Sequence, residues 1–403
     1  MAKVLVLPGS QWQLPLVRKI KETGHVCCVV SPEEAPPCAA ASDDFFRSDI
    51  FAIDEIEAYA REQKVDAILS DECDIAMPVV AELGRRLGLR AMSPQTAALY
   101  TDKFLMREFC KQHGLRSPEY RLCKTADEAV AFLETLGRPI IIKPLDSNAS
   151  HGVFKTATAD EVQAHFDEAL SFSRVEKAVL AERFIEGTEF TMDGVKTPQA
   201  HYTLAISEKK HFKHNRNIAN ELYFTHDNPR FDYDKLRRAN DAFVMASPLE
   251  YGFTHAEYKC EDGEFYLIEI GARGGGNMIS SVITQHMSGF DTYRYLIGCA
   301  LGDVRAEDFS IRPAYRDKAA VLKFFSTPNG GGKVTAIDGT AYLENEPDIR
   351  EYRLNFRIGD TIEDAKNDSV RIGFYIACSD SKEELDQVME NVEREFRITV
   401  AGK

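Results

Sequence analysis

The sequence predicts a multidomain protein that combines α/β and α+β folds. The chain has 403 residues, which is too long for one ordinary hydrophobic core, so two or three domains are expected. Over the first 95 residues, apolar strand-like runs alternate with amphipathic helical patterns, which is typical of a parallel sheet. Later strand-like runs are separated by short turns rich in Gly, Asn and Asp, which is typical of antiparallel hairpins.

The N-terminal pattern is strand, turn, helix, strand. Residues 3–7 predict a buried strand that ends at Pro8-Gly9-Ser10, residues 14–23 predict a helix closed by Gly24, and residues 26–30 predict the next strand. The pattern repeats with a helix at 54–63, a strand at 67–69, an acidic loop at 70–74 and a helix at 78–87. No GxGxxG dinucleotide fingerprint is present. We therefore predict one small α/β domain over residues 1–95.

Helix start signals organise the rest of the chain. Ser93 followed by Pro94 predicts an N-cap and a first helical residue, and we place the domain junction there. Strands are predicted at 139–143 and 178–182, so residues 115–190 form a small α+β module, and the last helix is predicted at 381–396. Three capping boxes mark later helix starts: Thr125 with Glu128, Thr158 with Glu161, and Ser381 with Glu384.

Composition limits the classes of partner. The net charge of −15 argues against a general binder of nucleic acid or anionic membranes. The nine cysteines form no zinc-type spacing, which predicts small buried thiols in a reducing cytosol. The chain opens without a signal-peptide pattern, and no apolar run approaches a membrane span. We expect a cytoplasmic protein.

Residues 254–277 carry the strongest chemical signal. They predict a hairpin with a tight turn at Asp262-Gly263, with Glu257 on its first strand and Glu269 on its second. If the turn contains an odd number of residues, both carboxylates fall on one face, because strand side chains alternate with period two. Their mutual repulsion would call for a cation, and Mg²⁺ is usually held by one or two carboxylates together with phosphate oxygens. The alternative is an ordinary charged hairpin with one wet face.

A lysine ends the apolar strand at 139–143. Lys143 is followed by Pro144 and then by a run of small residues over 146–152. Such a loop can place backbone N–H groups around phosphates, so lysine and loop together predict a phosphate clamp. The alternative is a solvated lysine at a strand end.

Four segments, in this order, resemble the ATP-grasp superfamily: Asp102-Lys103, the strand-Lys143-Pro144 segment with its loop, Glu182 to Glu189, and the Glu257…Glu269-x-Gly-x-Arg273-Gly-Gly hairpin. The N-terminal domain resembles the Rossmann-like pre-ATP-grasp domain of that family. Two C-terminal segments, 324–332 and 369–374, resemble the last subdomain of the L-amino-acid ligase branch. The resemblance implies three units, at 1–95, 96–305 and 306–403, with a lid module at 115–190.

The resemblance also implies roles for individual residues. ATP and Mg²⁺ would be bound, and a small-molecule carboxylate would be joined to an amine through an acyl phosphate, in a homodimer. Arg273 would hold the γ-phosphate and the reacting carboxylate, and Glu257 and Glu269 would hold two Mg²⁺ ions. The nucleotide contacts would come from Lys103 and Lys143 (α- and β-phosphates), the lid residues Ser147, Ser150 and Gly152, Glu182 with the backbone of Arg183 and Ile185 (adenine), and Glu189 (ribose).

Two positions depart from the family pattern. The lid has only Gly152, beside His151, where the family has more glycine. Gly271 stands where many members carry an asparagine that binds metal, so a water or Asn277 would fill that ligand position.

Two further clusters have open interpretations. The stretch 201–217 is dense in cations and is either a solvated basic face or a substrate contact, in which case Lys209 and Arg216 are the catalytic candidates. Asp71, Glu72 and Asp74 follow a predicted strand and either cap a helix or meet an amine-bearing substrate. Rival functions are a phosphotransferase with His151 as acceptor, a non-catalytic ATP sensor, and a biotin-dependent carboxylase.

Overall fold

The computed structural model describes residues 1–147, 151–174, 176–216, 218–303 and 307–401, and its N-terminal part is a parallel sheet between helices. The strand order is β3-β2-β1-β4 and all the pairings are parallel, as predicted. Helices cover both faces, so β1 and β2 are buried almost throughout. The elements are β1 (Lys3–Val6), α1 (Leu14–Glu22), β2 (Val26–Ser31), α2 (Pro37–Ala41), β3 (Asp44–Arg47), α3 (Ile53–Gln63), β4 (Ala67–Leu69) and α4 (Met77–Leu87).

Two helices connect this domain to the next one. They are α5 (Pro94–Leu99) and α6 (Lys103–Gln112). Ser93 caps α5 by accepting a hydrogen bond from the Thr96 N–H, and Asp102 caps α6 by accepting from two backbone N–H groups. The cap fixes where α6 begins and so places Lys103 in its first turn.

The lid module is a four-stranded antiparallel sheet covered by two helices. Its strand order is β5-β8-β6-β7. The capping boxes of both helices are present, with Thr125 and Thr158 accepting from the N–H of the glutamate three residues on. The elements are β5 (Tyr120–Cys123), α7 (Ala126–Leu136), β6 (Ile140–Pro144), β7 (Phe154–Thr156), α8 (Ala159–Ser171) and β8 (Val179–Arg183).

An eight-stranded sheet forms the centre of the molecule, in the order β13-β12-β9-β10-β11-β14-β18-β16. Its elements up to residue 300 are β9 (Thr188–Lys196), β10 (His201–His211), β11 (Ala219–Phe224), α9 (Tyr233–Ala246), β12 (Gly252–Glu261), β13 (Glu264–Gly271), α10 (Thr284–Ser288) and α11 (Thr292–Ala300). The remaining elements are β14 (Ala319–Phe324), β15 (Gly331–Asp338), α12 (Thr340–Asn345), β16 (Ile349–Leu354), β17 (Thr361–Glu363), β18 (Gly373–Ser379), α13 (Lys382–Glu395) and β19 (Arg397–Ala401).

The C-terminal part is continuous with this central sheet. Strands β14, β16 and β18 extend it, while β17, β15 and β19 form a separate small sheet. The pairing of β11 with β14 joins the two parts through backbone hydrogen bonds. The C-terminal segment is thereby held against the central strands and forms one wall of the site described below.

The structure can be compared with two expectations drawn from composition, one for the cysteines and one for membrane-spanning segments. All nine cysteines are free, and every one except Cys73 is buried. Within the described ranges, every helix is too short or too polar to span a bilayer.

Candidate active site

The glutamates of the hairpin lie directly opposite each other. Strands β12 and β13 are antiparallel, and their register pairs Glu257 with Glu269. Directly opposed residues of an antiparallel pair project from the same face of the sheet. The two carboxylates therefore share one face, as the metal-site hypothesis requires.

The reason for this shared face is different from the one the sequence suggested. The turn contains two residues, Asp262 and Gly263, both with positive φ, so an odd-numbered turn is wrong. The register instead shifts between Glu257 and Tyr258, which pairs with Leu267 and leaves Ile268 as an extra residue on β13. This β-bulge moves Glu269 onto the face of Glu257, and bulges of this kind are common beside active sites.

The same sheet face carries further polar side chains on neighbouring strands. Thr191 on β9 pairs with Glu257, and Glu189 pairs with Lys209 on β10. These side chains form part of the wall of a cavity of about 1110 Å³. The other walls come from the N-terminal domain, through Trp12 and Asp74, and from the C-terminal segment 361–374. The cavity therefore lies where all three parts of the chain meet.

Lys209 joins two of the carboxylates in this cavity. Its Nζ lies 2.6 Å from an oxygen of Glu189 and 2.8 Å from an oxygen of Glu257. Burial alone would lower the pKa of Lys209, but the two glutamates outweigh burial and raise it. Burial likewise acts to raise the pKa of Glu189, yet Lys209 and nearby cations hold that pKa below its usual range. Lys209 and Glu189 are therefore both charged at neutral pH.

A second lysine, Lys103, forms an ion pair with Glu269, the other proposed metal ligand. Lys103 is buried, with its Nζ 2.8 Å from Glu269 and 2.9 Å from the carbonyl oxygen of Ser147. Burial acts to lower the pKa of Lys103, but Glu269 raises it above its usual value. Lys103 thus connects the hairpin to the base of the lid loop.

The third lysine lies in a buried charge network. Lys143 is 2.6 Å from one oxygen of Glu182, and Arg107 donates from its Nε to the other at 2.7 Å. Burial acts to raise the pKa of Glu182, but Arg107 and Lys143 lower it. Arg107 also donates to the carbonyl oxygen of Ile268, the bulged residue, at 2.5 Å. One arginine of α6 therefore fixes both the bulge and Glu182.

Sequence reasoning missed Arg107, and its removal is expected to cost stability. We expect Arg107→Met to lower the free energy of unfolding by about 3 kcal/mol, because it leaves Glu182 with one buried partner instead of two. The measurement is urea denaturation followed by circular dichroism. The control is Arg121→Met on the exposed side of β5, for which a change within about 0.5 kcal/mol is expected. Equal effects of the two variants would contradict this role.

Arg183 and Ile185 make contacts within the protein next to the predicted adenine site. The side chain of Arg183 pairs with Glu119 at 2.6 Å and Glu261 at 2.7 Å, so it braces the module against the hairpin. Its backbone N–H donates to the carbonyl of Glu119. Ile185 is buried next to the strand end.

The far end of the cavity is built around Arg273. Its guanidinium makes two hydrogen bonds to Asp74 of the N-terminal domain, at 2.9 and 2.6 Å. Burial acts to raise the pKa of Asp74, but Arg273 lowers it. A Cβ at Gly271 would lie 2.7 Å from an oxygen of Asp74. The glycine therefore makes room for this carboxylate, which explains why a larger residue is absent there.

In the acidic loop of the N-terminal domain, Asp71 and Glu72 have different surroundings. Asp71 is fully buried and accepts hydrogen bonds from Ser280, Tyr293 and the Gly274 N–H. Glu72 lines the cavity, and burial together with the charge of Asp71 raises its pKa well above the usual value. Asp71 thus organises the glycine loop, while Glu72 faces the ligand space.

The remaining candidates are scattered. Asn277 has a positive φ of 54° and lines the cavity. Ser147 donates from its hydroxyl to the carbonyl of His151, and Gly152 has a positive φ of 73°. Arg216 is exposed and lies outside the cavity lining. Ser150 lies outside the described residues.

The basic stretch is divided by strand alternation. Lys209 and His211 face the cavity, whereas Lys210 points to the other side and pairs with Glu221 at 2.6 Å. His201 is buried elsewhere and hydrogen-bonded to Asp241 and Thr254. Part of this stretch contacts the site and part belongs to the surrounding structure.

Two further residues of the cavity, His255 and Arg371, were not predicted from the sequence to be site residues. His255 is two residues before Glu257, and its Nδ1 lies 2.8 Å from Asp193. Arg371 comes from the C-terminal wall. Period-two alternation from Glu257 could have found His255, whereas nothing local relates Arg371 to the hairpin.

Glu257 and Glu269 suit a magnesium ion whose remaining coordination positions are filled by phosphate and water oxygens. Within the described residues, no group of three or more His, Cys, Asp or Glu side chains is placed to hold a metal. Glu257 and Glu269 are each neutralised by a lysine ammonium group at 2.8 Å. Carboxylate oxygens are nonetheless the type of donor that Mg²⁺ takes, together with oxygens from phosphates and water.

Comparisons with known proteins match two regions of the chain and its overall fold. The family model of the ATP-grasp domain matches residues 136–281, and that of the L-amino acid ligase C-terminal domain 2 matches residues 324–401. The L-amino acid ligase from Bacillus licheniformis has a similar structure, with a TM-score of 0.84 and 20% sequence identity over 100% of this chain and 99% of that one.

Curated relatives are similar in sequence over shorter stretches. The alanine–anticapsin ligase of Bacillus subtilis is 27% identical over 296 residues, which cover 66% of this chain and 61% of that protein. The D-alanine–D-alanine ligase of Delftia acidovorans is 32% identical over 143 residues, which cover 35% of this chain and 43% of that protein. The chain thus spans less than two thirds of these relatives. Residues 136–281 thus match the ATP-grasp domain, residues 324–401 match C-terminal domain 2 of the L-amino acid ligases, and the chain as a whole shares the fold of an L-amino acid ligase.

Proposed function

We propose that this protein is an ATP-dependent ligase that joins a carboxylate to an amine through an acyl phosphate and releases ADP and phosphate. One observation carries the proposal: Glu257 and Glu269 lie opposite each other on one wall of the cavity, with Lys103, Lys209 and Arg273 around them. Phosphoryl transfer needs mainly positioning and charge neutralisation, which this set of groups can supply.

The proposed nucleotide site runs from the lid module to the hairpin. Lys103 and Lys143 contact the α- and β-phosphates, and the loop 147–152 covers them. Glu182 and the backbone near Ile185 receive the adenine, and Glu189 receives the ribose. Glu257 and Glu269 hold Mg²⁺, with Asn277 as a further candidate ligand, and the ion neutralises phosphate charge when bound.

The proposed reaction has two steps. An oxygen of the substrate carboxylate attacks the γ-phosphorus, the bond to the β-phosphate oxygen breaks, and ADP leaves. The amine nitrogen then attacks the acyl carbon, the bond to phosphate oxygen breaks, and the nitrogen loses a proton. Arg273, which lines the cavity, would orient the carboxylate and the transferred group through its positive charge. Closure of the loop 147–152 would exclude water, which otherwise hydrolyses the acyl phosphate.

We further propose that both substrates are amino acids. Supporting this class, the relatives include an L-arginine-specific L-amino acid ligase and D-alanine–D-alanine ligases, by their names. Glu72 supports it as well, because an ammonium group beside this buried carboxyl would stabilise its ionised form. A phosphotransferase based on His151 is not favoured, because His151 is not among the residues that line the cavity.

An ADP-release screen tests the proposed reaction. Purified protein with MgATP is offered a grid of amino acids as carboxylate and amine, and mass spectrometry identifies the products. ADP release that needs both partners, together with a product of condensed mass, is the expected result. A stable phosphorylated product formed without any amine would identify a kinase instead.

Lys143→Ala is expected to weaken nucleotide binding. The variant removes a cation from the phosphate path, so the Kd for MgATP should rise about tenfold or more in calorimetry. Lys382→Ala, at the exposed start of α13, serves as the control. An unchanged Kd for Lys143→Ala, in a protein that melts as the wild type does, would remove Lys143 from the clamp.

We also propose a cytoplasmic homodimer, by analogy with the family. Size-exclusion chromatography with light scattering measures the mass directly. A mass of one chain, 45.3 kDa, at working concentrations would contradict the dimer.

A further inference from the structure

Arg371 projects from the C-terminal wall into the cavity and has an unused donor. It lies in the loop before β18 and lines the cavity. Its side chain is only 10% exposed. Among the described residues, no hydrogen-bond partner is found for its Nε, which is itself buried. A buried donor without a partner is rare and calls for an explanation.

The guanidinium group is held in a fixed orientation. Its centre lies 3.8 Å from the centroid of the Phe324 ring, so one face is covered. Nη2 donates to the carbonyl oxygen of Ala219 at 3.0 Å and to Asp368. These contacts occupy Nη2 and leave Nε, on the same edge of the fork, without a partner; a guanidinium fork is the geometry that binds carboxylates and phosphates.

The electrostatic setting favours an anion at this edge. Burial lowers the pKa of Arg371, and only Asp368 and the more distant Glu257 counteract it. Arg273 differs, because its guanidinium already makes two hydrogen bonds to Asp74. The charge of Arg371 is therefore less completely compensated than that of Arg273, and Glu257 is close enough to influence it.

We propose that Arg371 is an oxyanion-binding residue of the active site, acting from the wall that the C-terminal segment forms. This inference rests on the proposed ligase function and extends it. The oxyanion is either the transferred phosphoryl group or the α-carboxylate of the acceptor amino acid. Both present negatively charged oxygens that a guanidinium group can contact, and the experiment separates them.

Anion binding can be measured without turnover. The chain has one tryptophan, Trp12, which lines the same cavity and lies 6.2 Å from the ring of Phe374. Its fluorescence is followed while inorganic phosphate, or separately glycine, is added to the protein with MgADP. The variants are Arg371→Met and a control, Arg350→Met, on the exposed side of β16.

The wild type and Arg350→Met are expected to bind with equal affinity. In Arg371→Met, the affinity for at least one of the two anions should fall about tenfold or more, because the charge-assisted bonds are lost. Loss for phosphate assigns Arg371 to the phosphoryl group, and loss for glycine alone assigns it to the acceptor carboxylate. Wild-type affinity for both anions in Arg371→Met would overturn the proposal.

A second variant covers the case in which Arg371→Met does not fold. Arg371→Gln keeps a donor for the Ala219 carbonyl but removes the charge, so it should fold and still lose anion affinity. Retained affinity in this variant would also overturn the proposal. Because the measurement needs no product formation, its outcome is independent of the ADP-release screen, and the two proposals can fail separately.

Discussion

Replacing Glu269 by Gln is expected to reduce ADP formation by on the order of 10²- to 10³-fold. The amide has nearly the shape of the carboxylate, so packing is preserved, but the negative charge that faces Lys103 at 2.8 Å is lost. The proposed Mg²⁺ site would then keep one carboxylate, Glu257, instead of two. Initial rates of ADP release under saturating MgATP provide the measurement.

The control for this variant lies on the same strand. Glu264→Gln changes a partly exposed carboxylate that pairs with Lys235 at the turn, away from the cavity. Its ADP rate should stay within about twofold of wild type, since surface ion pairs contribute little. If Glu269→Gln turned over at a similar rate to this control, Glu269 would have no metal role, and the ligase proposal would lose its main support.

Arg273→Lys is expected to lower turnover by about a hundredfold while changing the Kd for MgATP little. Lysine keeps the charge but not the planar fork that meets Asp74 in two hydrogen bonds. The loss should fall on the step in which carboxylate and γ-phosphate are aligned. Single-turnover ADP formation, compared with calorimetric MgATP binding, separates the two effects.

An exposed arginine provides the comparison. Arg238→Lys on α9 alters a side chain that is 70% exposed, and both its turnover and its binding should match the wild type. A large change in MgATP affinity for Arg273→Lys, with turnover preserved at saturation, would place Arg273 in nucleotide binding and remove it from the reacting centre.

Much of the local structure could be predicted because its determinants are close in sequence. The capping boxes at Thr125 and Thr158 need only a side chain and a backbone N–H three residues on. The parallel sheet of the first domain follows from the strand–helix alternation.

The face shared by Glu257 and Glu269 could be proposed but not explained in advance. A two-residue turn by itself would put the two carboxylates on opposite faces. The bulge at Ile268 reverses this outcome, and its carbonyl is bonded to Arg107 from a helix that lies 161 positions earlier in the chain. No pattern within the hairpin contains that information.

The sequence by itself determined the strands and helices, the carboxylates and the arginine of the hairpin, and the lysines at strand and helix ends. These features depend only on periodicity and on neighbours along the chain. Only the tertiary structure decided how the groups meet: Lys209 between two glutamates, Asp74 against Gly271 and Arg273, and Arg371 on the wall formed by the C-terminal segment. The physical reason is that charge pairing and burial depend on distance in space. Strand register and the contacts between domains set that distance, and both involve residues far apart in sequence.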